Sequence, residues 1–169
     1  SGALTGLGDG VVVSAEKGKN PAISIPTRSL SNVRFNPSRA IIEMGSAKQQ
    51  RSFFNVTMAK RFMQTFLVAK SCKQLIDQGK TTSIRDLYYN VKHSIGRTSE
   101  NTFDEQEESD ALIEDLEVTV DALREELHLY AENRGAMIGE ITIEDRGDVI
   151  DCRRMGTGGW SVPSIVEPD

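Results

Sequence analysis

An α+β fold is expected for this 169-residue chain, and three observations carry that expectation. Residues 54–78 set apolar side chains at three- and four-residue steps, the mark of a helix with one apolar face. Residues 84–91 repeat that pattern after a short gap containing Gly79. The stretches 30–45 and 135–154 each hold two β-rich runs around turn-forming residues, which reads as two hairpins.

The elements follow in order. Residues 1–22 are rich in Gly and Ser without sustained period, and are expected to be a flexible arm. "LSNVRFNPSRAIIEMG" (30–45) turns at Asn36-Pro37-Ser38. Ala59, Phe62, Phe66, Ala69 and Ile76 give the first helix its apolar face, and Gly79 is its natural stop. Thr82 or Ser83 caps the second helix, with Asp86 in its first turn. After Gly96 a polar break leads into a third helical pattern, in which Leu112, Ile113 and Leu116, then Val120, Leu123 and Leu127, mark the faces. The acidic run 104–108 before it suits a solvated helix start, favoured by the macrodipole. The last hairpin turns at Asp145-Arg146-Gly147-Asp148.

Helix, short turn, helix is the order of a helix-turn-helix. With a third helix and a closing hairpin, the order becomes that of a winged helix preceded by an N-terminal β-hairpin. The expected organisation is an arm over 1–22, a winged-helix domain over 23–155, and a Gly- and Pro-rich linker over 156–169. "GTGG" (156–159) lacks the Lys-Ser/Thr of a phosphate loop, and Trp160 is expected to anchor the linker.

Composition narrows the class. The chain is 38% hydrophobic and 27% charged, in the range of globular domains. It has no apolar run near the roughly 20 residues a spanning helix needs, so no membrane partner is expected. Cys72 and Cys152 lie too far apart for a metal-binding pair and are expected to be idle thiols in a cytoplasmic protein. The net charge of −5 hides an asymmetry. Residues 41–100 hold ten Lys/Arg against four acids, whereas residues 101–169 hold five against nineteen. The basic middle suits contact with phosphate; a solvated helical face would carry the same charge.

"TSIRDLYYNVKH" (82–93) holds two adjacent tyrosines. Neighbours on a helix point about 100° apart, so Tyr88 and Tyr89 face different surroundings. Ile84, Leu87, Tyr88 and Val91 form one apolar stripe. Arg85, Tyr89 and Lys92 share another face, with His93 beside them. A tyrosine is about 0.1% ionised at neutral pH. Neighbouring cations favour its phenolate, and an arginine grips phosphate oxygens with its planar fork. A tyrosine held there is suited to attack a phosphodiester and form a covalent phosphotyrosyl link. An exposed aromatic that merely stacks on a base or a partner fits the same spacing.

At these residues the sequence resembles the active-site segment shared by the A subunit of archaeal DNA topoisomerase VI and the eukaryotic meiotic double-strand-break protein. The pattern is R-[DE]-x-[FY]-Y, read here from Arg85 to Tyr89. "SIPTRSLSNVRF", "YAENRGAMIGEITI" and "GDVIDCRRMGTGGWSVPSIVEP" extend the resemblance over residues 24–169. It implies that Tyr89 is the nucleophile, giving a 5′-phosphotyrosyl intermediate, and that Arg85 assists at the scissile phosphate. It also implies double-stranded DNA as substrate, a homodimer of A subunits, and a separate B subunit that binds ATP. Lys92, His93 and Arg97 are expected as further DNA contacts, on charge and position alone. Members of this family carry magnesium on a Toprim domain that no part of this chain matches. The chain is accordingly expected to hold no metal or cofactor, to end about where that domain begins, to be inactive alone, and to work at the nucleoid. A non-catalytic winged-helix DNA-binding module, a protein-interaction module and the meiotic protein stand as alternative readings.

Overall fold

The computed structural model describes residues 1–131, 135–145 and 147–162. The chain divides into two compact units, Ser1–Leu129 and Tyr130–Asp169, in place of one domain over 23–155. The fold is α+β, as expected.

In the first unit, helix α1 (Gly2–Glu16) is followed by strands β1 (Ala22–Pro26), β2 (Val33–Asn36), β3 (Ile41–Met44) and β4 (Lys48–Ser52). Helix α2 (Val56–Gln78), the short strand β5 (Thr82–Ser83), α3 (Ile84–Val91) and α4 (Gln106–Val120) follow, and β6 (Leu129–Tyr130) lies at the boundary. The expected arm over 1–22 is thus largely a helix. Its Leu4 is 6% exposed and joins the main core, while Leu7 and Val11 pack beside Ile23, Ile25 and Phe62. Leu4, Leu7 and Val11 keep helical spacing, and burying that stripe outweighs the roughly 1 kcal/mol each helical glycine costs.

The β2–β3 hairpin pairs as the sequence indicated, Val33 opposite Met44 and Asn36 opposite Ile41. A single amide holds its base: Asn32 Nδ2 donates to the Thr27 and Ala47 carbonyls, and its Oδ1 accepts from the Ala47 N–H at 3.0 Å. Gly45 is required there, since a Cβ would lie 2.4 Å from Asn32 Oδ1. β1 pairs antiparallel with β4, setting Ile23 opposite Arg51. Ile23 and Ile25 point inward at alternate positions.

The Asn55 side chain caps α2 by accepting from the Thr57 N–H, and Gly79 ends it with φ 62°. The main core gathers Val68 and Cys72 of α2, Leu87, Tyr88 and Val91 of α3, and Leu112, Ile113 and Leu116 of α4, with Phe103 between. A buried charge network crosses this unit. Asp115 of α4 pairs with Arg51 at 2.8 Å and with Arg28 at 2.9 Å, and Arg51 also donates to Thr65 Oγ1 of α2. Arg51 and Asp115 are both at most 7% exposed at their side chains.

In the second unit, β7 (Ala136–Met137), β8 (Thr142–Asp145), β9 (Asp148–Asp151) and β10 (Trp160–Ser161) are linked by two 3₁₀ turns, Cys152–Arg154 and Gly156–Gly158. β8 and β9 form a hairpin, Ile143 opposite Ile150; Arg146, in its expected turn, lies outside the described residues. The hairpin expected over 135–154 is therefore shorter. Its first run, β7, pairs instead with β10, Met137 opposite Trp160. Residues 156–162, expected as linker, are built into this unit, the Val162 N–H donating to the Gly135 carbonyl at 2.9 Å. Residues 163–169 lie outside the described residues.

Two outcomes are expected. Asp115→Ala strands two guanidinium groups, one of them buried, and should cost about 3–5 kcal/mol in urea denaturation. An apolar replacement of Arg51 and Asp115 together should cost much less. Burial pushes the Cys72 thiol up to about 12. Its proton is held in the folded chain and released from the unfolded one, so stability falls as pH rises from about 9, and Cys72→Ala should flatten that decline. Urea midpoints at pH 8 and pH 10 measure it.

Candidate functional site

α3 is short, and its start is fixed by its own sequence: Ser83 Oγ accepts the Asp86 N–H at 3.0 Å. The stripe of Leu87, Tyr88 and Val91 is buried and Ile84 half-buried. Tyr88 is 7% exposed and Tyr89 60%, so the two tyrosines divide as the helical wheel requires. Their rings remain in contact, with centroids 5.2 Å apart at an angle of 54°. Tyr89 is thereby held against a ring that cannot move, while its hydroxyl-bearing edge faces outward. Arg85 is exposed one turn earlier on the same face.

Lys92 takes a place the helical wheel does not indicate. Its ammonium turns back over the Tyr88 ring, 5.0 Å from the centroid, and donates to Tyr88 Oη at 2.6 Å and to the Asp104 carbonyl at 2.9 Å. The bond to Tyr88 chiefly holds the Lys92 pKa above its ordinary value, so the charge persists through the alkaline range. Tyr88 Oη donates in turn to the Asp104 carbonyl at 3.0 Å, which satisfies the one polar atom that its ring carries inward. The Asp104 carboxylate pairs with Lys60 of α2 at 2.7 Å. Asp104 thus joins α2 to α3 through both backbone and side chain. In the sequence this place shows only as part of an acidic run; a Lys four residues after a buried Tyr is the signal that could have found it.

His93 and Arg97 lie beyond the last turn of α3, and both are exposed. His93 is tied by its backbone: its N–H donates to Thr102 Oγ1 at 2.9 Å, and its carbonyl accepts the Thr102 N–H at 2.8 Å. Thr102 Oγ1 donates to the Val91 carbonyl, and Ser94 bridges to Asn101. Residues 95–100 form a closed tip, with the Ile95 N–H donating to the Glu100 carbonyl, and Arg97 rides on it. The structure therefore brings Arg85 and Tyr89 together on one exposed face, commits Lys92 to Tyr88, and sets His93 and Arg97 to one end. Among the described residues no group of three or more His, Cys, Asp or Glu side chains is placed to hold a metal ion. Nor is any helix there long and apolar enough to cross a membrane.

Comparison with known proteins agrees with this face. The family model described as type IIB DNA topoisomerase matches residues 60–129, which include all of α3. The model of the all-β domain in DNA topoisomerase VI alpha subunit matches residues 131–168. The break between the two falls at the boundary between the two units. The A subunit of type 2 DNA topoisomerase 6 from Pyrococcus horikoshii is 44% identical over 157 residues, 93% of this chain and 41% of the relative. The corresponding protein of Hyperthermus butylicus is 39% identical over 161 residues, 89% of this chain and 42% of the relative. That of Methanothermobacter thermautotrophicus is 33% identical over 165 residues, 97% of this chain and 45% of the relative. The chain spans about two-fifths of the length of these relatives. By two adjoining family models and a consistent set of relatives, the chain belongs to the type IIB topoisomerase family, among the A subunits of DNA topoisomerase VI.

Proposed function

We propose that this chain is the DNA-binding and strand-cleaving module of a type IIB DNA topoisomerase A subunit, with Tyr89 as its nucleophile. The observation that carries the reading is the division of the two tyrosines: a buried Tyr88 fixes the helix, and Tyr89 stands 60% exposed beside Arg85. Tyr89 Oη attacks phosphorus, the bond from phosphorus to the 3′ oxygen breaks, and a 5′-phosphotyrosyl link forms. The phenol gives up one proton and the departing 3′ oxygen takes one up. One phosphoester replaces another, so the broken strand keeps the energy needed for rejoining. Arg85 stabilises the charge that builds on the phosphate oxygens during attack.

The order α2, turn, α3, with α4 and the β8–β9 hairpin following, supports a winged-helix arrangement with α3 as the helix presented to duplex DNA. His93 and Arg97 supply further phosphate contacts, and Lys92 contributes a fixed charge beside the site. The substrate is double-stranded DNA. The names of the relatives support a working enzyme in which two A subunits act with an ATP-binding B subunit. No side-chain cluster among the described residues fits magnesium, so that ion would be held elsewhere in the complete A subunit, where it would assist at the attacked phosphate.

Tyr89→Phe should abolish covalent attachment to DNA and change stability by no more than about 0.5 kcal/mol. Tyr88→Phe should keep attachment and lose about 1 kcal/mol, since its hydroxyl is hydrogen-bonded twice. Arg85→Ala should retain much of the DNA binding while cleavage falls by orders of magnitude. Denaturing capture of protein-linked DNA, with the complete A subunit, its B partner and magnesium present, reads all three. Attachment at the unmodified level in Tyr89→Phe would place the nucleophile elsewhere and leave a DNA-binding module without chemistry.

A further inference from the structure

Away from α3, the first unit has an open cleft of about 470 Å³. That volume lies within the range of small-ligand sites, about 300–1,000 Å³. Its walls come from the end of β1, from β4, from the start of α2 and from α4. Arg28, Arg51 and Arg61 line it with Gln49 and Gln50, against one carboxylate, Asp115. Glu114 pairs with Arg28 outside the lining and takes up one more of the positive charges.

The three arginines are not equivalent. Arg28 spends its nitrogens on Asp115, Glu114 and the Ala111 carbonyl. Arg51 spends two on Asp115 and Thr65. These bonds fix both guanidinium groups in the wall at no further entropic cost when a ligand arrives. Arg61 is exposed, and its guanidinium makes no hydrogen bond or ion pair among the described residues. An unspent planar fork beside two fixed positive groups and two amides suits a compact oxyanion with several acceptor atoms. An apolar ligand would find no apolar wall, and a cation would meet an excess of like charge.

The geometry points to this cleft as a binding site for a phosphate-type oxyanion, with Arg61 as the principal contact and Arg51 and Arg28 as its fixed floor. Two sources share that chemistry: a phosphate of a duplex backbone, and free phosphate or pyrophosphate. The first source rests on the DNA reading given above; the site itself does not.

Pyrophosphate titrated into the 169-residue chain by calorimetry tests the site. Arg61→Ala should weaken binding about tenfold or more, the size of one charge-assisted contact. Lys70→Ala, an exposed charge on the same helix outside the cleft, should leave it unchanged. The Arg61 guanidinium has no structural partner among the described residues, so folding is preserved in the variant and circular dichroism checks it. Absence of pyrophosphate binding, or equal loss in both variants, overturns the proposal. Duplex DNA binding measured against salt identifies the source. A log–log slope smaller by about 0.9 in Arg61→Ala means that a backbone phosphate occupies the cleft. An unchanged slope beside lost pyrophosphate binding means the ligand is a free phosphate. An unmodified chain that binds pyrophosphate through Arg61 but no DNA overturns the DNA reading and leaves the cleft standing.

Discussion

The carboxylate of Asp115 is the point through which the first unit is held together. It sits on α4, yet both its oxygens are taken by arginines from elsewhere: Arg51 on β4 and Arg28 after β1. Arg51 reaches on to Thr65 of α2. Four segments distant in sequence therefore meet at one buried charge. Ion pairs in such places are weak sources of net stability, because desolvation takes back most of the attraction. Their effect is on uniqueness. An arginine buried beside Ile23 can be satisfied in one register only, so the β1–β4 pair, α2 and α4 must adopt one arrangement. α3 packs into the core formed by α2 and α4, and the exposed tyrosine inherits its position from that arrangement.

The division of labour between Tyr88 and Tyr89 is a second consequence of packing. One tyrosine contributes its ring to the core and its hydroxyl to a small polar knot with Lys92 and Asp104. The other contributes nothing to the core and is left available for chemistry. A nucleophile on a mobile loop would have to be ordered for each reaction. On a helix whose opposite face is buried, that ordering is already complete on folding.

What the sequence disclosed, and what it did not, follows from the range of the forces involved. α2, α3 and α4 were legible because period, caps and stops are local: Asn55, Ser83 and Gly79 act within a few residues of the helices that they bound. The β2–β3 hairpin was legible for the same reason. α1 was hidden by its glycines, which argued for an arm although Leu4, Leu7 and Val11 kept helical spacing. β4, "KQQRS", shows no apolar alternation, and its partner β1 lies more than 20 residues earlier. The pairing of β7 with β10 is likewise non-local, which is why residues 156–162 read as linker. Of the candidate site, Tyr89 and Arg85 were legible from a helical wheel and a resemblance. The inward turn of Lys92 was not, because a long side chain chooses its partner in three dimensions.

The closed tip after α3 separates two properties that ordinary loops couple. Thr102 ties back to Val91 and His93, Phe103 is fully buried, and the Ser94–Asn101 bridge seals the neck. Whatever lies between residues 95 and 100 is thus tethered at both ends to points that are already rigid. Lengthening such a loop costs only about 0.6 kcal/mol per doubling, and the neck keeps the change from reaching α3. The tip is free to vary in length, charge and reach as a module of its own, carrying Arg97 or a substitute to differently shaped surfaces while the geometry around Tyr89 stays as it is.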